Sequence, residues 1–221
     1  MSQQLVVSHS HRFTRSPLPA IQLVPKLARF LAKSYIYQQG EPSSTAFVIR
    51  SGIACLESVN HRGERCIVHF LGPGALIGHE ACLGEPRYFD ARACKDLVLE
   101  PFASQARSDA GRHAGIQSRS SMDVSHLLRD ITKFRVELHR SSARRRVLLL
   151  LDQLRKAHLS QATSIWLPSR HEMADTLDIN HVTASRVVAH LFRENVLIRA
   201  PRNDEVGVDW HQVHRLLQAE H

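Results

Sequence analysis

The stretch Leu167-Pro168-Ser169-Arg170-His171-Glu172-Met173-Ala174-Asp175-Thr176-Leu177-Asp178-Ile179-Asn180-His181-Val182-Thr183-Ala184-Ser185-Arg186-Val187-Val188-Ala189-His190-Leu191-Phe192-Arg193-Glu194 decides how this chain is read. Ser169 is an N-cap residue type, and Glu172 follows at the spacing of a capping box, so a helix starts here. Met173, Ala174 and Leu177 share one face of it. Asp178-Ile179-Asn180 breaks the period. Asn180, again an N-cap type, opens a second helix from His181 to Glu194. In that helix Ala184, Val187, Val188 and Leu191 recur at i, i+3, i+4 and i+7, which predicts a buried stripe and leaves His181, Val182, Ser185, Arg186 and Arg193 outside.

Two short helices, crossing at a small residue (Ala174), the second with a polar N-terminal face free of core duty, have the form of a helix-turn-helix. Leu197-Ile198-Arg199 and Val206-Gly207-Val208 flank Ala200 to Glu205 and read as a hairpin. A hairpin there is a wing, and it would carry Arg199 and Arg202 close to phosphates. Arg186 suits guanine O6 and N7, Ser185 donates or accepts, and Val182 suits a thymine methyl. Arg170, Asn180, His181 and Thr183 complete the predicted contact set. An ordinary helical hairpin with solvated Arg and His is the competing reading of the pattern, and the wing tips the balance towards DNA.

Upstream, residues 1–20 are polar and read as a flexible N-terminus. Ile21, Val24, Leu27, Ala28 and Leu31 have helical spacing, with the helix proper starting near Pro25. From Tyr35 short apolar stretches alternate with Gly, Pro and Ser, the pattern of a β-sandwich or roll, and Ala91 to Leu99 reads as one further strand. Residues 103–120 are Ser/Arg/Gly-rich without periodicity and read as a loop. Val124, Leu127, Leu128, Ile131, Phe134 and Leu138 then follow a helical stripe, which fits either a helix packed on its own domain or a dimer seam. A further helix is expected from Ser142 to His158.

The 221 residues suit one large or two modest domains, and 43% hydrophobic content supports a packed core. The net charge of +8 favours a polyanionic partner only weakly, because residues 142–221 carry 11 basic against 9 acidic side chains and residues 1–120 carry 14 against 9. None of the four cysteines forms a CxxC pair, and there is no signal segment or membrane-length apolar run, so a soluble cytoplasmic protein with reduced thiols is expected.

In this order the pieces resemble Crp/Fnr-family transcription regulators. The resemblance is carried by Tyr37-Gln38-Gln39-Gly40-Glu41, Phe47-Val48-Ile49-Arg50-Ser51-Gly52-Ile53-Ala54, Phe70-Leu71-Gly72-Pro73-Gly74-Ala75-Leu76-Ile77-Gly78, Ser169 to Ala174, and Thr183-Ala184-Ser185-Arg186. It implies an α+β chain in four parts: the N-terminus, a jelly-roll-like β-roll sensor over 21–120, a dimerisation helix over 121–141, and a winged helix-turn-helix over 142–221. It implies a homodimer on a palindromic double-stranded operator, with RNA polymerase as a candidate contact and no membrane. The dimer reading of Val124 to Leu138 gains from it.

Two departures from the family pattern stand out. Many members carry an acidic residue where this chain has Val182, so a cytosine contact is lost and the half-site should differ. The Arg-Ser pair that holds a cyclic-nucleotide phosphate aligns with Phe89-Asp90, and Asp repels phosphate. The usual cyclic-nucleotide site is therefore disfavoured, and the effector is unknown. The candidate effector pocket comprises Gly78, His79, Glu80, Cys82, Arg87 and Asp90. His79 and Cys82 form the best pair for a metal, haem or thiol sensor, against a core-filling role for the cysteines. No nucleophile elbow, P-loop or zincin motif supports an enzyme. A regulatory module that does not read DNA is the remaining alternative, and the exposed Ser185-Arg186 face argues against it.

Overall fold

The computed structural model describes residues 27–102, 110–158, 164–202 and 204–219, with backbone alone over 110–123. Eight strands form the first unit: β1 (Ala28–Phe30), β2 (Tyr35–Tyr37), β3 (Ala46–Ser51), β4 (Ala54–Val59), β5 (Arg65–Leu71), β6 (Leu76–Ile77), β7 (Asp90–Ala93) and β8 (Leu97–Phe102). They make two antiparallel sheets, ordered β1-β8-β3-β6 and β2-β7-β4-β5. The inner faces interdigitate through Tyr37, Ile49, Leu56, Ile77, Leu97 and Leu99, as alternation along strands requires. Tight turns carry the chain between sheets. Gly52 (φ +91°) leaves room for the Asp96 carbonyl oxygen, which would lie 2.2 Å from an added Cβ, so only glycine fits there.

Helix α1 (Ala110–Leu138) leads from the roll to α2 (Ala143–Ala157). The Ser142 side chain caps α2 by accepting from the Arg145 amide, and Val147 to Leu151 are buried on all sides. Then come β9 (Ser164–Trp166), α3 (Arg170–Leu177), α4 (His181–Arg193), β10 (Leu197–Arg199), β11 (Glu205–Val208) and α5 (Trp210–Ala219). One hydrophobic cluster runs from Ile53, Ile67 and Phe70 of the roll, through Phe134 and the α2 leucines, to Met173, Leu191 and Val213. The two halves therefore share a core. Among the described residues no helix is long and apolar enough to cross a membrane.

Four expectations need correction. Ala28–Phe30 is a strand paired with Leu97–Leu99, not part of a helix; Ile21, Val24 and Pro25 lie outside the described residues. Ladder bonds to β8 decide the state of so short a segment, which its helical spacing does not register. The single strand expected over Ala91–Leu99 is two, because Cys94 and Lys95 turn so that both amides donate to the Ile53 carbonyl. The loop expected over 103–120 is helical from Ala110 onward; residues 103–109 lie outside the described residues. A helix closes its own backbone bonds, so it can extend beyond its apolar stripe.

The fourth correction concerns the α1 stripe. Phe134 and Leu138 are 7% and 5% exposed and belong to the chain's own core, and Leu127 packs against the roll interior. Val124 and Ile131 are half-buried. Leu128 and Val136 stand 59% and 67% exposed. The outward apolar line thus runs through Leu128 and Val136, and Phe134 and Leu138 are withdrawn from any seam.

Candidate nucleic-acid interface and roll pocket

The capping box closes as its spacing demands: the Ser169 amide donates to Glu172 Oε2 at 2.9 Å and the Glu172 amide donates to Ser169 Oγ at 3.2 Å. Asp178 ends α3 in a left-handed conformation (φ 51°). Its carbonyl and that of Leu177 accept from Arg146 Nη1 at 3.0 and 2.8 Å. The turn is thereby fixed from α2. Asn180 Oδ1 then accepts from the Val182 amide at 2.8 Å and starts α4.

Ala184, Val188 and Leu191 are wholly buried, and Val187 is half-buried. His181, Val182, Arg186 and Arg193 are exposed, and Thr183 and Ser185 are half-buried beside them. The predicted division of the helix therefore stands. The His171 and His181 rings stack across the turn with centroids 4.8 Å apart. Arg170 is half-buried and donates to Met173 Sδ at 3.6 Å, and burial lowers its pKa.

Strands β10, β11 and β9 form a three-stranded sheet with Arg199 opposite Val206. Arg199 and Arg202 are exposed, and they line a groove with Ser169 and Arg170 at the start of α3. Arg202 Nη1 lies 3.5 Å from Glu205 Oε1. Glu205 also binds Lys95 Nζ of the roll at 2.8 Å, and that bond, ahead of the others, holds its carboxyl below the usual range.

In the roll, Gly78 (φ +71°) precedes a 3-10 turn, His79–Cys82. Arg87 folds inward: Nη1 donates to the Gly78 carbonyl at 2.9 Å, Nη2 donates to the Thr45 carbonyl at 2.6 Å, and the guanidinium lies 4.1 Å above the Tyr37 ring. A Cβ on Gly78 would sit 2.1 Å from Arg87 Nη1. Glu80 is buried 3.6 Å from that nitrogen, and its Oε1 accepts from the Tyr88 amide at 3.0 Å. Asp90 Oδ1 accepts from the Gln39 amide at 2.6 Å. Gly78, His79, Glu80 and Arg87 are thus brought together, while Asp90 serves the β2 end and Cys82 is half-buried in the turn. Among the described residues no three His, Cys, Asp or Glu side chains form a metal-holding group.

The cyclic nucleotide-binding domain family model matches residues 27–104. The chain is 24% identical over 180 residues to the transcriptional regulator LdrP of Thermus thermophilus, covering 80% of this chain and 89% of the relative. FixK2 from Bradyrhizobium japonicum superposes with a TM-score of 0.75 at 23% identity, over 88% of this chain and 98% of that one. TTHA1359, a Crp/Fnr-family transcriptional regulator from Thermus thermophilus, superposes with a TM-score of 0.69 at 21% identity, over 89% and 100%. Residues 27–104 thus match a cyclic nucleotide-binding domain, and the whole chain has the fold of Crp/Fnr-family regulators.

Sequence reading missed an ionic network between the roll and the helix-turn-helix. Glu57 is fully buried on β4, and its Oε1 accepts from Arg92 Nε at 2.5 Å. Arg92 Nη2 reaches Glu172 Oε1 on α3 at 2.9 Å. Burial would raise the Glu172 pKa, but the Ser169 amide and the Arg92 guanidinium outweigh it and hold the carboxyl down. Arg65 Nη2 bonds Asp175 Oδ2 at 2.6 Å, and Arg135 donates to the Ile67 and Thr176 carbonyls at 2.6 and 3.0 Å. The Glu57–Arg92 and Arg92–Glu172 partners are 35 and 80 residues apart, so no local pattern signals them.

Proposed function

We propose that this regulator acts as a homodimer that reads a two-fold symmetric DNA operator, with α4 in the major groove of each half-site. The observation that carries this reading is the division of α4. Its buried stripe fixes the helix, while Val182 and Arg186 are exposed and Ser185 is half-buried beside them at the N-terminal half, the part that reaches base edges. Arg170, Asn180, His181, Thr183, Arg199 and Arg202 are assigned to positioning on the backbone. Val182 in place of an acid removes an acceptor for cytosine N4, so the half-site differs at that base pair. Dimerisation is assigned to α1, through Val124, Leu128 and Val136, in a soluble cytoplasmic protein with no catalytic role. RNA polymerase is a further contact of the DNA-bound form.

The effector is not a cyclic nucleotide held in the family's usual way. Both outer nitrogens of Arg87 are committed to backbone carbonyls, and Asp90, which the family resemblance aligns with a phosphate donor, is an acceptor bonded to the Gln39 amide.

An electrophoretic shift assay at physiological salt tests the central reading. A complex that survives excess random DNA supports it, and one that random DNA abolishes in full sinks it.

A further inference from the structure

Cys55 and Cys94 have no part in the reading head or the pocket around Arg87. Cys55 lies on β4 opposite Arg92 of β7, and Ala54 lies opposite Ala93. Cys94 follows β7 in the turn whose first amide donates to the Ile53 carbonyl at 2.7 Å, two residues before Cys55. Both belong to one buried cluster, and the neighbouring Cys94, ahead of burial, pushes the Cys55 thiol pKa up.

The two are differently placed. Cys55 is fully enclosed. Cys94 lines a cleft of about 580 Å³ between roll, α2 and wing, beside Lys95, His158 and Glu205. The Cys55 thiol donates to Glu57 Oε1 at 3.1 Å. The same oxygen binds Arg92, which binds Glu172, which caps α3. A continuous chain of polar contacts therefore joins the thiol pair to the first turn of the reading head.

We propose that Cys55 and Cys94 are a redox modification site, closing to a reversible disulfide under a hydroperoxide, and that closure loosens the roll's hold on α3. The Cys94 sulfur meets the peroxide in the cleft and attacks one oxygen. The O–O bond breaks, the other oxygen leaves as water with the thiol proton, and Cys94 becomes a sulfenic acid. The Cys55 sulfur then attacks the Cys94 sulfur. The S–O bond breaks and hydroxide leaves as water, taking the Cys55 proton, which Glu57 Oε1 is placed to receive and pass on. The two thiols give up two electrons, and hydrogen peroxide ends as two waters.

The neighbouring Cys94 and burial keep Cys55 protonated, so it acts only as the resolving thiol, and the rate is set at Cys94. Closure removes the S–H donor from a buried carboxylate. Glu57 then depends more on Arg92, at the expense of the Arg92–Glu172 bond. Cys66 and Cys82 are less buried than either and serve as internal controls, because accessibility alone would oxidise them first.

The test treats the full chain with hydrogen peroxide, alkylates remaining thiols under denaturant and maps peptides by mass without reductant. A Cys55–Cys94 crosslink that dithiothreitol reverses and Cys94→Ser abolishes is expected. Cys55 and Cys94 still alkylatable after Cys66 or Cys82 has oxidised would overturn the site. Coupling is read by amide hydrogen exchange, which needs no DNA. Exchange in α3 should speed up on the order of threefold to tenfold in the oxidised protein. An α3 whose exchange is unchanged by the crosslink overturns the coupling.

Discussion

The proposed DNA reading places specificity on Arg186. Replacing it with alanine removes one bidentate base contact and should weaken specific binding by roughly 1–3 kcal/mol, read as operator affinity at fixed salt. An unchanged affinity would refute its role. Glu57 is the most demanding residue for the fold, because its charge is wholly buried. Arg92→Met leaves that charge without its nearest cation and should cost about 3–5 kcal/mol of unfolding free energy in urea. Adding Glu57→Leu should recover much of the loss.

His69 gives a pH prediction. Burial lowers its pKa from 6.5 to about 4, with Gln153 bonded to its ring. The unfolded chain thus takes up a proton that the folded chain refuses between those values. Its stability contribution is complete above pH 6.5 and is lost as pH falls towards about 4. The His69 ring resonances should show no titration near neutrality, and a midpoint near 6.5 would contradict its burial.

Among the elements, α1 has two faces with different duties. Leu128→Glu and Val136→Glu change only exposed positions, so they should convert a dimer to a stable monomer in sedimentation, with little change in unfolding temperature. Phe134→Ala instead opens a cavity in the chain's own core and should cost about 3–5 kcal/mol. If the glutamate variants sediment as the parent does, α1 is not the seam. The sequence read this helix only in part. Its stripe merges the side that meets the roll with the side that faces out, because a wide apolar arc looks the same whether one neighbour or two will cover it.

The reading head was legible to the residue because its signals are local: Ser169 with Glu172, Asn180 with Val182, and Ala184 with Val188 and Leu191. The strand β1 was not, since its state depends on Leu97–Leu99, far along the chain. The pocket was half legible. The family resemblance grouped Gly78, Glu80 and Arg87, but only the fold shows Arg87 turned onto Gly78 and Thr45. Glu57 and Arg92 gave no signal at all, because strand alternation does not say which polar residue will find a distant partner.

At the scale of the whole molecule, one hydrophobic cluster crosses from roll to reading head. Arg92–Glu172, Arg65–Asp175 and Lys95–Glu205 reinforce the same boundary. Calorimetry should therefore give one cooperative transition, and two separate transitions would show that the boundary carries little energy. With the head held this way, two copies joined along α1 would present two recognition helices related by a two-fold axis. Selection of bound sequences from a random DNA pool with the full chain tests this most directly. The account predicts a palindrome whose half-sites lie about one helical turn apart, roughly 34 Å. Enrichment of a single unpaired site, or of no sequence at all, would contradict it.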